Sequence, residues 1–208
     1  MKLFISFNLL DLNKALTIAH EVNNYCDAFE IGPVLLAQYG AQGIQKFRAE
    51  FPHKIIMADT NIAEFEKEYV EIAARSGADW VTVLAGASNN TIHNTCSAAH
   101  SAGKKVMLDL IDTLSAGQSA VDAQAFGLDA LIVHNTETNN PFMLIDRWDL
   151  VRGNTKLPIF ICNYVDRNNI GQLIKLDPAG IIIGRAITHA ADPRHEANHF
   201  YNIIKNVQ

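Results

Sequence analysis

The stretch Asp27-Ala28-Phe29-Glu30-Ile31 returns three times in altered form. It reads Asp79-Trp80-Val81-Thr82-Val83, then Asp129-Ala130-Leu131-Ile132-Val133, then Asp177-Pro178-Ala179-Gly180-Ile181-Ile182-Ile183. The leading aspartates lie 52, 50 and 48 residues apart, and each opens a short run of strand-favouring residues. A second series interleaves with the first, at 2–8, 54–59, 105–109 and 157–163. Together the two series predict eight strands.

Between the strands, apolar residues recur at intervals of three and four, as in Leu16, Ala19 and Val22. This predicts helices over 12–24, 33–50, 64–76, 89–102, 115–126, 142–152, 168–175 and 193–205. Asp192 before Pro193 fits an N-cap and first helical position, and Gly77, Gly103 and Gly127 fall where a helix must stop. Strands that alternate with helices pair in parallel, and a four-fold βαβα repeat favours a closed (β/α)8 TIM barrel of the α/β class. The competing doubly wound sheet lacks support, since neither G-x-G-x-x-G nor a Walker A loop is present. One barrel domain over 1–208 is expected, with short loops.

Composition narrows the function. With 49% hydrophobic and 19% charged residues the chain folds, and a net charge of −5 leaves no cationic surplus for nucleic acid or an anionic membrane. A small-molecule partner is expected. Cys26, Cys96 and Cys162 have no C-x-x-C spacing, so neither a disulfide framework nor a thiolate zinc site is indicated. The apolar opening is broken at Asn8 and Asp11, and no apolar run approaches the roughly 18 residues of a bilayer span. A cytoplasmic protein is expected.

Side chains alternate along a strand, so one face of each run can be traced to its end. Those faces read Phe4, Ser6 and Asn8; Ala28, Glu30 and Gly32; Ile55, Met57 and Asp59; Met107 and Asp109; Ile132 and His134; and Ile159, Ile161 and Asn163. Polar residues collect at the C-terminal ends, where barrel enzymes place their chemistry. A single strand-end aspartate commonly caps the next helix. Glu30, Asp59 and Asp109 form a set with no neighbouring cation in sequence, and converging carboxylates repel unless an ion joins them. Oxygen ligands suit Mg2+, or Mn2+, better than zinc. His134 is either a satisfied core histidine or a proton carrier, and the carboxylates beside it favour the second. Gly184-Arg185 offers backbone N–H groups and a cation where barrels often bind phosphate. His195-Glu196-Ala197-Asn198-His199 matches H-E-x-x-H, but on the last outer helix, away from the mouth.

At these residues the sequence resembles the 3-hexulose-6-phosphate synthases and 3-keto-L-gulonate-6-phosphate decarboxylases of the orotidine 5'-phosphate decarboxylase suprafamily. The likeness rests on Phe29-Glu30-Ile31-Gly32, Met57-Ala58-Asp59, Gly77-Ala78-Asp79, Asp109-Leu110-Ile111, Val133-His134 and Gly184-Arg185-Ala186-Ile187-Thr188. The resemblance implies Mg2+ at Glu30 and Asp59 with Asp109 nearby, and an enediolate of a phosphorylated ketose. It also implies assistance from His134, phosphate at Gly184 and Arg185, and a homodimer with sites at the interface. The family's D-x-K-x-x-D reads Asp59-Thr60-Asn61-Ile62-Ala63-Glu64 here, so Asn61 replaces the lysine and Glu64 the second acid. Asn8 stands for an aspartate, and Asn163-Tyr164 for a Gly-Gly phosphate loop. A Mg2+-dependent carbon-carbon lyase is therefore expected, with Asp59, Asn61, Glu64 and His134 as catalytic candidates and Asn8, Asn163, Gly184 and Arg185 as substrate and phosphate contacts. The missing lysine leaves a catalytically silent sugar-phosphate-binding relative as the alternative. An epimerase would need a second proton-transfer group opposite His134, and none can be named.

Overall fold

The computed structural model describes residues 1–135 and 141–206, the side chains of 141–143 excepted. Eight parallel strands close on themselves in sequence order: β1 (Lys2–Phe7), β2 (Ala28–Ile31), β3 (Ile55–Ile62), β4 (Trp80–Leu84), β5 (Lys105–Asp109), β6 (Ala130–His134), β7 (Ile159–Cys162) and β8 (Gly180–Ile183). The seam pairs Lys2 with Gly180 and Ile5 with Ile183, which completes the (β/α)8 barrel expected from the repeat. Around it lie α1 (Leu12–Val22), α2 (Pro33–Tyr39), α3 (Ala41–Glu50), α4 (Glu66–Ser76), α5 (Asn89–Ser101), α6 (Ala116–Phe126), α7 (Pro141–Asn154), α8 (Ile170–Leu173), α9 (Arg185–Thr188) and α10 (Pro193–Lys205). Among the described residues no helix is long and apolar enough to cross a membrane.

The helices differ from expectation where the backbone turns. The single helix expected over 33–50 is two, divided at Gly40, whose φ of 53° and ψ of −137° lie outside the helical range. Phe65 is left-handed, with a φ of 56°, so α4 starts at Glu66 and not at Glu64. The helix expected over 168–175 is only a turn of α-helix followed by a 3-10 turn at Ile174–Leu176. The helix ends read from sequence are present: Asp192 accepts from the His195 N–H, and Gly77 and Gly127 close α4 and α6 in the left-handed conformation.

The repeated aspartates have a structural task. Asp27, Asp79 and Asp129 accept the backbone N–H groups of Leu3, Ile56 and Val106 at 2.7, 3.0 and 2.9 Å, tying each strand foot to the one before it. Their own N–H groups return to the carbonyls of the same three residues. In the fourth quarter the N–H that returns to Ile159 belongs to Ala179, not Asp177. Asp177 is therefore not the fourth member of the series, although its side chain type suggested it; its φ of 53° places it in the turn before β8.

Two apolar layers result. Phe4, Ala28, Met57, Met107, Ala130, Ile132, Phe160, Cys162 and Ile182 fill the barrel interior, and a larger shell packs strands against helices. In β7 the expected faces are reversed: Phe160 and Cys162 point inward, while Ile159 and Ile161 join the outer shell. Volume explains the exchange. The Phe160 ring sits where a Cβ on Gly180 would stand, 2.4 Å away, and packs 5.1 Å from the Phe4 ring. A run of four apolar residues hides its period, since both faces are buried.

Removing the Asp79 side chain frees the Ile56 N–H and takes away the carboxylate held at 2.6 Å by the Arg48 guanidinium, which keeps its bonds to backbone carbonyls. Asp79→Ala should lower unfolding stability by about 2 kcal/mol, whereas Asp177→Asn, which tolerates the same left-handed backbone, should change it by less than about 0.5 kcal/mol. Urea unfolding of the two variants checks both.

Candidate active site

Three short chains of hydrogen bonds organise the C-terminal mouth of the barrel. On β1 and β2, Ser6 stands beside Glu30 in register and donates to its Oε1 at 2.5 Å. Asn8 Nδ2 donates to Ser6 Oγ at 3.2 Å, and Asn8 Oδ1 accepts the Val34 N–H at 3.1 Å in the first turn of α2. An aspartate at position 8 would have no proton to give Ser6. Gly32 lets the Asn8 amide lie against the chain, since a Cβ there would fall 2.3 Å from Asn8 Oδ1.

On β3 and β4, Thr82 Oγ1 donates to Asp59 Oδ1 at 2.8 Å and accepts the Asn61 N–H at 2.9 Å. The pairing of these strands shifts register between Ala58 and Ile62, and Asn61 is left-handed with a φ of 46°. Such bulges re-aim side chains at barrel rims. Among the described residues Asn61 Oδ1 is buried without a hydrogen-bond partner.

On β5, β6 and β7, Asp109 Oδ1 accepts the Ile111 N–H at 2.8 Å and lies 2.7 Å from His134 Nε2. Asn163 Nδ2 lies 2.8 Å from His134 Nδ1 on the other edge of the ring. Although Asn163 follows an inward residue, its left-handed backbone, with a φ of 61°, returns its side chain to the mouth.

Electrostatics sets this mouth apart from the rest of the protein. Burial pushes the Glu30 carboxyl up to about 8, aided by the charges of Asp59 and Asp109 and opposed by the Ser6 hydroxyl. Burial and the Asp109 charge push Asp59 up to about 6, against Thr82 and His134. Burial and the same three carboxylates hold the Cys162 thiol well above its ordinary range, so it is no nucleophile. Among the described residues no lysine or arginine pairs with Glu30, Asp59 or Asp109. Neither is a group of three His, Cys, Asp or Glu side chains arranged ready to hold an ion. Among the described residues Glu30 and Asp59 each have only one carboxylate oxygen in a hydrogen bond. Two such carboxylates suit Mg2+, which takes one or two from protein and completes its shell with water and substrate.

The remaining candidates are placed unevenly. Arg185 is exposed at the start of α9, behind Gly184 at the end of β8. Glu64 lies in an exposed bend before α4 and is not among the groups acting on Glu30 or Asp59. Glu196 of the H-E-x-x-H match is held by Arg167 through two bonds of 2.7 and 2.9 Å on α10, so it is structural. Ser6 and Thr82 were missed as site residues. The alternation that selects Glu30 and Asp59 marks Ser6 already, and would mark Thr82 if continued through β4.

A parallel barrel with acids and a histidine at its C-terminal mouth is an architecture that small-molecule enzymes use. The chain belongs to the Orotidine 5'-phosphate decarboxylase / HUMPS family, whose model matches residues 1–200. It is 26% identical over 209 residues to the 3-hexulose-6-phosphate synthase of Bacillus subtilis (strain 168), covering 98% of this chain and 99% of that one. It superposes on the 3-hexulose-6-phosphate synthase of Salmonella typhimurium with a TM-score of 0.92 at 28% identity, covering 100% of both chains. For KGPDC from Streptococcus mutans the TM-score is 0.89 at 25% identity, covering 99% of this chain and 98% of that one.

Because its folded carboxyl is raised, Glu30 binds a proton more tightly folded than unfolded. Its contribution to stability is complete below the ordinary glutamate range and is lost as pH rises through about 8. In a chelator, Glu30→Gln should match the parent near pH 4 and exceed it above pH 8 by on the order of a few kcal/mol. Denaturant titrations across that range measure the difference.

Proposed function

We propose that the chain is a carbon-carbon lyase of a phosphorylated ketose, of the 3-hexulose-6-phosphate synthase kind, working through an enediolate of the substrate. The observation that carries this reading is the meeting of Glu30, Asp59, Asp109 and His134 at the mouth of a barrel, in a chain similar end to end to 3-hexulose-6-phosphate synthases. Aldol addition and cleavage is the favoured direction of chemistry, and decarboxylation in the keto-gulonate sense is its near neighbour.

Glu30 and Asp59 would hold Mg2+ or Mn2+, which when bound would supply Lewis-acid stabilisation of charge on the substrate oxygens. The chain does the rest. Ser6 and Thr82 each hold one oxygen of these carboxylates and so aim the other. Asp109 fixes His134, and His134 moves the proton at the carbon beside the carbonyl. Asn61 presents an unpartnered acceptor that a substrate hydroxyl can satisfy, but it cannot carry a proton as a lysine does. Losing one general acid or base typically lowers a rate by about a hundred- to ten-thousand-fold, so turnover is slowed and not abolished. Arg185 and the backbone at Gly184 anchor the phosphate. Asn8 serves the site through Ser6, in place of direct substrate contact. Glu64 stands in an exposed bend, apart from the groups that act on Glu30 and Asp59. The exposed stripe of Phe65, just before α4, and Tyr69 and Ile72 on it supports a homodimer.

In deuterium oxide with Mg2+, the protein should exchange the C1 proton of ribulose 5-phosphate for deuterium, as followed by NMR. His134→Ala should abolish that exchange; binding without exchange in the parent would assign the catalytically silent relative instead. Arg185→Ala should raise KM about ten-fold or more with kcat nearly unchanged. Independently of activity, Mg2+ should raise the melting temperature of the parent and leave that of Glu30→Gln where it was.

A further inference from the structure

Both edges of the His134 ring are engaged, and the two engagements decide where its proton sits. Asp109 is a carboxylate that only accepts, so Nε2, at 2.7 Å, carries the hydrogen of that bond. The Asn163 amide nitrogen only donates, so Nδ1, at 2.8 Å, presents a lone pair. We propose that Asn163 is a positioning residue for His134, selecting the Nε2–H tautomer and leaving Nδ1 as the basic atom once substrate displaces the amide. The catalytic part of this inference rests on His134 being the proton carrier; the tautomer does not.

The loop is built for the task. Asn163 and Tyr164 are consecutive left-handed residues, with φ of 61° and 43°. Asparagine tolerates that backbone better than other residues with a Cβ, and tyrosine does not favour it. The Tyr164 carbonyl is held from two sides, by Asn135 Nδ2 at 3.1 Å and Asn169 Nδ2 at 2.6 Å, and these bonds fix the turn. A Gly-Gly sequence adopts such a turn freely but brings no side chain to the ring. The two residues that depart from the resemblance here thus replace backbone freedom with an amide aimed at the histidine. Without that amide, a half-turn of the ring would offer Nδ1–H to Asp109 just as well, and the tautomer would cease to be unique.

Asn163→Gly tests this, because glycine accepts a φ of 61° without strain and leaves the turn in place. Long-range proton-nitrogen spectra of labelled protein, with the His134 signals assigned by their loss in His134→Ala, report which ring nitrogen is protonated. In the parent the pattern should be that of Nε2–H alone. In Asn163→Gly it should move toward an average of both tautomers, and kcat for C1 exchange should fall about ten-fold with KM held, the usual scale for losing an orienting partner. Unchanged nitrogen signals overturn the proposal whatever the kinetics. A changed spectrum in a protein whose parent shows no C1 exchange upholds the positioning role and defeats the lyase reading instead.

Discussion

Three carboxylates cannot share a buried pocket without something to offset their repulsion, and the mouth of this barrel is arranged around that constraint. Glu30 and Asp59 are pushed toward their protonated forms by burial and by neighbouring carboxylate charge, relieved by the Ser6 hydroxyl at Glu30 and by Thr82 and His134 at Asp59. The closed sheet allows no retreat: β1 to β8 are hydrogen-bonded in an unbroken ring, so each acid is fixed by the strand that carries it. A site of this kind is held in tension by the fold and relaxed by a cation or a proton. On the proposed reading, the same tension that lowers stability at high pH would favour a hard divalent ion, so substitution at Glu30 would move both properties together.

The architecture was readable because the chain states it four times. Aspartate followed by a strand-forming run fixes the period, and glycine at helix ends fixes the punctuation. The limits of that reading were equally physical. Asp177 resembled its predecessors in type and approximate spacing, yet register gives the place to Ala179, and only the hydrogen bond to Ile159 separates the two. The faces of β7 could not be assigned because Ile159 to Cys162 are apolar on both sides, so the sequence has no contrast to read. The position of Phe160 depends on the space over Gly180, a complementarity between strands that no single strand displays.

For the site, strand alternation was enough to gather Glu30, Asp59, Asp109 and His134, since their residue types contrast with apolar neighbours. It said nothing of what holds them. Ser6 and Thr82 are short, common side chains whose role arises only across a strand pair. The departures at Asn8, Asn61 and Asn163 looked alike on paper, each an amide where a family pattern has something else. In space they differ: one joins the start of α2 to the Glu30 hydrogen-bond chain, one buries an acceptor with no partner among the described residues, and one grips a histidine.

The aspartate ties at the feet of β1, β3 and β5 stop short of β7, where Ala179 offers only its backbone. That same quarter carries the redrawn turn at Asn163-Tyr164 above it and the brief α8 beyond. The foundations and the rim of the molecule are thus written in separate residues, at opposite ends of the same strands. A change of sequence in the turn above β7 therefore disturbs none of the side-chain ties that fasten β1, β3 and β5 at the opposite end of the barrel.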